Sequence, residues 1–125
     1  MSVVLIIEDN AANLELMHYL LEAFGHQVCS ANDGLTGLAM IQCDPPAVIV
    51  CDIQIPYLDG LSIARRLKAD PELRHIPLIA VTALAMVGDR ERIMDAGFDG
   101  YIPKPIDPEH FVHQVEAFLG QDSHC

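Results

Sequence analysis

The run Ala47-Val48-Ile49-Val50-Cys51-Asp52 limits the fold more than any other stretch of the chain. Five small or branched apolar residues follow one another and end on a carboxylate. A short run of this composition reads as a strand covered on both faces, and such strands belong to parallel sheets flanked by helices. In an open α/β sheet, chemistry is carried just beyond the carboxyl ends of the strands, and Asp52 stands there. The segment after it contains Pro56 and the pair Asp59-Gly60, which stop a strand and make a loop. Alone, a strand-end aspartate is as readily a helix cap as a reactive group. Its meaning depends on what else reaches that edge.

The same rhythm runs through the whole chain. Ser2 to Ile7 is a second buried-strand pattern and ends on Glu8-Asp9-Asn10. Leu16, Met17, Leu20, Leu21 and Phe24 then take helical spacing, with Gly25 as a left-handed cap. A short strand, Gln27 to Ser30, leads through the turn Asn32-Asp33-Gly34 to a helix carrying Leu35, Leu38, Ala39 and Ile41, which Pro45-Pro46 stops. Beyond Asp52 come a helix over Leu61 to Ala69, a strand over Ile76 to Val81 ending on Thr82, and a helix over Asp89 to Ala96. Gly100-Tyr101-Ile102 runs into Pro103-Lys104-Pro105. Asp107-Pro108-Glu109 caps and opens a last helix through Phe111, Val115, Phe118 and Leu119. Strand and helix patterns alternate, five of each, which predicts a doubly wound α/β domain with a parallel sheet and right-handed crossovers. The domain is expected over 1–120, followed by a frayed tail at 121–125.

Composition narrows the partners. A formal net charge of −11, with seven Lys and Arg, excludes nucleic acid as an expectation. No signal-peptide pattern and no membrane-length apolar run occur, so a cytoplasmic chain without membrane insertion is expected. Cys29, Cys43 and Cys51 lie in apolar segments and read as buried thiols rather than ligands or bridges.

In a parallel sheet every strand's last residue reaches one rim. Here the rim gathers Glu8, Asp9, Asp52, Thr82 and Lys104. Converging carboxylates demand a counter-ion, and hard oxygen donors without Cys or His suit Mg²⁺. A hydroxyl and an ammonium facing that ion complete a cage for a phosphoryl group, whose transfer needs mainly positioning and charge neutralisation. Asp52 is central and reads as the nucleophile of aspartyl-phosphate chemistry, with Glu8 and Asp9 as metal ligands.

These residues, in this order and spacing, resemble the receiver domain of two-component response regulators, the CheY-like superfamily, from Val3 to Leu119. Glu8-Asp9-Asn10…Asn13, Asp52-Ile53-Gln54 and Ala83 through Arg92 look closest to stand-alone cell-cycle regulators of the DivK type and to receivers of hybrid kinases. The resemblance implies a flavodoxin-like (βα)5 fold of strand order 2-1-3-4-5. It implies that Asp52 accepts phosphoryl from a histidine kinase or histidine phosphotransferase. Mg²⁺ would be held by Asp9, Asp52 and the Gln54 carbonyl, with Glu8 helping through water. Thr82 and Lys104 would bind the phosphoryl oxygens, and Tyr101 would turn inward as Thr82 moves. Glu8 departs from the more usual Asp, and Tyr57 is an uncommon choice in its loop and takes no role here.

Output is expected through protein contact. Ala83 to Val87 is read as opening the fourth helix, with Ala85 and Met86 beside Tyr101 forming a docking face of helix 4, strand 5 and helix 5. Kinase docking is assigned to the first helix near Asn10, Leu14 and Leu16. Leu84, which cannot orient water, implies slow self-dephosphorylation. Beyond its own phosphorylation and that slow loss the chain is expected to be no enzyme, and a monomer or weak dimer. An FMN-binding flavodoxin would need a glycine-rich phosphate loop where Glu8-Asp9-Asn10 stands. An aspartyl-phosphate phosphatase would need an acid at Gln54. A degenerate receiver used only as a phosphorylation-independent binding scaffold would have no need of the rim residues, every one of which this chain retains; a receiver cut from a hybrid kinase would share them.

Overall fold

The computed structural model describes residues 3–55, 57–83 and 88–119. Along the chain run β1 (Val3–Ile7), α1 (Ala11–Ala23), β2 (Gln27–Ala31), α2 (Gly34–Cys43), β3 (Val48–Asp52), α3 (Gly60–Ala69), β4 (Leu78–Thr82), α4 (Asp89–Ala96), β5 (Gly100–Pro103) and α5 (Phe111–Leu119). The five strands form one sheet of order β2-β1-β3-β4-β5, and every pairing is parallel.

Successive strand residues point to opposite faces, and the core divides accordingly. Leu5, Ile7, Ile49, Cys51, Leu78 and Ala80 face α2, α3 and α4, where they meet Leu38, Ile41, Ile63, Leu67 and Ile93. Val4, Ile6, Val48, Val50, Ile79 and Val81 face the other way, toward Met17 and Leu21 of α1 and Phe111 and Val115 of α5. β3 and β4 are buried at every position, which is why their sequences carry no polar alternation.

Local chemistry fixes where the helices start. Asn10, Asp33 and Asp59 each sit in extended backbone and accept a hydrogen bond from the amide three residues on, at 3.0, 2.7 and 2.8 Å. Each such cap contributes about 1 kcal/mol and satisfies an amide that the helix leaves unpaired. All of them lie at the turn from a strand's carboxyl end into the next helix, so they also shape the rim.

Several sequence expectations shift. Cys29 and Cys43 are exposed, not buried: one lies in the edge strand β2, the other in the last turn of α2. Cys51 alone of the described cysteines is buried. Phe24, expected on the buried stripe of α1, is its C-cap residue and is exposed, meeting His113 edge-on. α4 begins at Asp89 behind Gly88 and not at Ala83, which lies in a bend. α5 begins at Phe111, because Asp107 and Pro108 open a preliminary turn in which the Asp107 carbonyl accepts from His110 and Phe111.

Candidate functional site

The carboxyl rim brings together the residues that strand periodicity had sent there. Glu8 follows β1, and its amide bonds the Ala31 carbonyl at 3.0 Å, continuing the ladder by one step. Its carboxylate is only 1% exposed. Oε2 accepts from the Asn10 amide at 3.2 Å. Oε1 is buried without a hydrogen bond; Lys104 Nζ stands 3.0 Å from it but off the bonding direction. Asp52, the last residue of β3, is 7% exposed. Its Oδ1 accepts from the Gln54 amide at 3.1 Å and its Oδ2 from Lys104 Nζ at 2.7 Å. Thr82 ends β4, fully buried, and its carbonyl accepts from the Lys104 amide at 2.9 Å. β5 therefore delivers Lys104 to the site through its backbone as well as its side chain.

Electrostatics at the rim are unbalanced. Glu8, Asp9 and Asp52 can each place one oxygen within 4.8 Å of the others. Against three carboxylates stands one ammonium. The Glu8 carboxyl is raised to about 7: burial pushes it up most, Lys104 pulls it down, and the charge of Asp52 adds to the rise. Burial works to lower the Lys104 pKa, but its hydrogen bond to Asp52 and the charge of the Glu8 carboxylate beside it outweigh this and hold it above the ordinary value. A buried carboxylate oxygen without a hydrogen bond, inside an all-oxygen donor set, fits a hard divalent cation such as Mg²⁺. Cys51, next to the site, is no rival ligand: burial and the neighbouring Asp52 charge keep its thiol protonated.

The loop after Asp52 is pinned. The Gly60 amide donates to the Ile53 carbonyl at 2.9 Å, and a Cβ on Gly60 would stand 2.7 Å from the Asp52 carbonyl oxygen. On its other flank the loop meets α2, where a Cβ on Gly34 would run into the Leu58 carbonyl. No sequence signal pointed to that contact, because it joins elements distant in the chain. Tyr57, at the loop's apex, has φ 70° and is 82% exposed.

A response regulator receiver domain model matches residues 4–116. The chain belongs to the response regulator receiver family. Polar-differentiation response regulators DivK of Brucella anthropi and Brucella ovis are each 44% identical to this receiver over 117 residues, covering 94% of this chain and 95% of theirs. Among solved structures, the receiver domain of a signal transduction histidine kinase from Syntrophus aciditrophicus superposes with a TM-score of 0.92 at 29% identity, covering 100% of this chain and 95% of that one. The receiver domain of a Pseudomonas aeruginosa sensor histidine kinase, which has a magnesium ion coordinated in its active site cleft, gives 0.87 at 30%, covering 95% and 98%.

The remaining predicted residues are placed as follows. Asn10 caps α1 and is exposed, while Leu14 and Leu16 are half-buried against the α1–α5 side of the core. Tyr101 is half-buried against the opposite side. Leu84, Ala85, Met86 and Val87 lie outside the described residues, as does Pro56. Among the described residues, no helix is long and apolar enough to cross a membrane.

Proposed function

We propose that this receiver accepts one phosphoryl group on Asp52 from the phosphohistidine of a kinase or phosphotransferase, in the cytoplasm, and passes the signal on by protein contact. The observation that carries this reading is the Asp52 carboxylate itself. It lies at a strand end, nearly buried, held by the Gln54 amide and the Lys104 ammonium, within an acidic group that wants one more cation. A carboxylate oxygen of Asp52 attacks phosphorus, the P–N bond of the donor breaks, and the imidazole leaves with the electron pair. Lys104 and Thr82 meet the charge on the phosphoryl oxygens. Asp9, Asp52 and the Gln54 carbonyl, with Glu8 through water, would hold Mg²⁺, which supplies charge neutralisation for those oxygens.

Capture of the phosphoryl group by Thr82 biases Tyr101 inward and prepares the α4–β5–α5 face for a downstream protein, as a population shift between two states. The chain turns over no external substrate, and loss of phosphate is slow. A second reading, a receiver functioning within a hybrid kinase, is favoured by the likeness to receiver domains of histidine kinases.

The test is incubation with acetyl phosphate, with and without Mg²⁺, read by intact mass. One added phosphoryl group is expected with Mg²⁺, and none in Asp52→Asn. Modification of the Asn variant at the wild-type rate would overturn the assignment.

A further inference from the structure

Tyr57 has no part in the acceptor chemistry, yet the fold holds it conspicuously. At φ 70° it occupies the left-handed region that residues other than glycine, asparagine and aspartate seldom enter. It is the most exposed large hydrophobic side chain among the described residues. The residues after it are all anchored: Leu58 abuts Gly34, Asp59 caps α3, and Gly60 closes the loop on Ile53. The backbone that follows Tyr57 is held, and its ring is presented to solvent. Strain kept at a site this close to the chemistry motivates a functional reading.

Resting on the phosphoacceptor reading, the structure assigns Tyr57 as the aromatic anchor for the protein that delivers the phosphoryl group, seated in an apolar recess beside the donor's phosphohistidine. The geometry leaves a protein donor little choice. Phosphorus must come within about 3.5 Å of an Asp52 oxygen, and Asp52 is nearly buried at the rim, so the donor must settle on the rim loops. A standard interface buries about 800 Å² per partner, a disc about 16 Å in radius. Gly60 lies against the Asp52 backbone, and three residues of chain place Tyr57 within about 11 Å of it. Tyr57 therefore stands within reach of a donor seated on Asp52. Tyrosine supplies large contact area from a side chain with little freedom to lose, and such residues dominate interfaces.

The test compares small and protein donors. The probes are acetyl phosphate and the autophosphorylated transmitter domains of the source organism's histidine kinases, the fastest donor to the wild type being carried forward. Tyr57→Ala should lose about 30-fold in kcat/KM with the protein donor, mostly through KM. Tyr57→Phe should keep wild-type transfer. Tyr57→Asn, which suits the left-handed backbone but lacks the ring, should fall as far as Ala while melting no lower than the wild type. With acetyl phosphate all three should react as the wild type does. The assignment is overturned if Tyr57→Ala takes phosphoryl from the protein donor at the wild-type kcat/KM. It is overturned equally if the variant slows with both donors, which would mean a distorted loop, or if the wild type reacts with acetyl phosphate but with no transmitter domain. Failure of the wild type to react with acetyl phosphate at all would instead sink the acceptor reading on which this rests.

Discussion

Two lysines gather chain segments at opposite edges of the sheet, and their surroundings differ in one respect. At the amino edge, Lys68 of α3 donates to the Arg74 carbonyl at 3.0 Å, the Ile76 carbonyl at 3.5 Å and Asp99 Oδ2 at 3.1 Å. That carboxylate oxygen also takes the Leu78 amide at 2.9 Å, so one ammonium and one carboxylate knit α3, the start of β4 and the approach to β5. The charges cancel. At the carboxyl edge, Lys104 reaches both Asp52 and Glu8, with Asp9 alongside, and one buried Glu8 oxygen has no hydrogen bond. The charges do not cancel. A balanced cluster holds structure; an unbalanced one, built of equally well-placed groups, is a receptor for something charged that arrives later.

The contrast breaks most sharply at Lys104. Lys104→Met leaves Glu8 and Asp52 facing each other without a cation, and loss of one partner from a buried charged set costs about 3–5 kcal/mol. Denaturant unfolding should show a loss near the low end of that range without divalent ion, most of it recovered in millimolar Mg²⁺. An equal loss with and without Mg²⁺ would mean that the site is not short of positive charge.

A steric change at the same edge should behave differently. Gly34→Ala drives a methyl group into the Leu58 carbonyl, and overpacking of this kind costs about 1–3 kcal/mol. Mg²⁺ should not repair it, and phosphorylation should slow with every donor because the loop beside Asp52 is displaced. Wild-type stability in this variant would show that α2 and the loop part freely.

Lys68→Met comes next. It removes hydrogen bonds to a part-exposed carboxylate and two carbonyls, worth about 1.5 kcal/mol, and leaves phosphorylation unchanged. Its unfolding curve should be indifferent to Mg²⁺; a Mg²⁺-dependent loss would erase the distinction between the edges.

The smallest effect belongs to Asp107 and His110, an exposed pair 2.6 Å apart before α5. The hydrogen bond from Asp107 raises the His110 pKa above 6.5, and the same bond lowers that of Asp107 below 3.8. The His110 contribution is complete below 6.5 and is lost as pH rises through its folded value. The Asp107 contribution is present above 3.8 and is lost as pH falls through its folded value. The pair is therefore strongest between about pH 4 and 6.5. An NMR titration should find the His110 midpoint above 6.5 and Asp107→Asn should bring it down; no movement would mean that water has already replaced the bond.

Much of this was legible in the chain itself. Unbroken apolar runs told of strands buried on both faces, and polar residues at their ends told where the rim would be. Periodicity reports which residues share a face, not which strand lies at the edge, so Cys29 reads as buried although β2 is an edge strand and leaves it exposed. Nor does it reveal whether the last residue of a helical stripe is covered, as Phe24 shows. Glu8 was assigned to a metal, but its near-complete burial and its approach to Lys104 depend on β1 being an interior strand. The pinning of Leu58 by Gly34, and the left-handed backbone at Tyr57, are tertiary facts without a local signature.

The two prolines around Lys104 have a further consequence. Within Pro103-Lys104-Pro105 only the central residue owns an amide hydrogen, and that hydrogen goes to the Thr82 carbonyl. β5 is an edge strand, paired on one side, and a one-residue slip would turn each side chain to the opposite face. Any such slip would offer Thr82 a proline, which has nothing to donate. The pair of prolines thus works as an alignment key: neither frame one residue away can close the last ladder bond, and the frame that does is the one that aims the lysine at the acceptor.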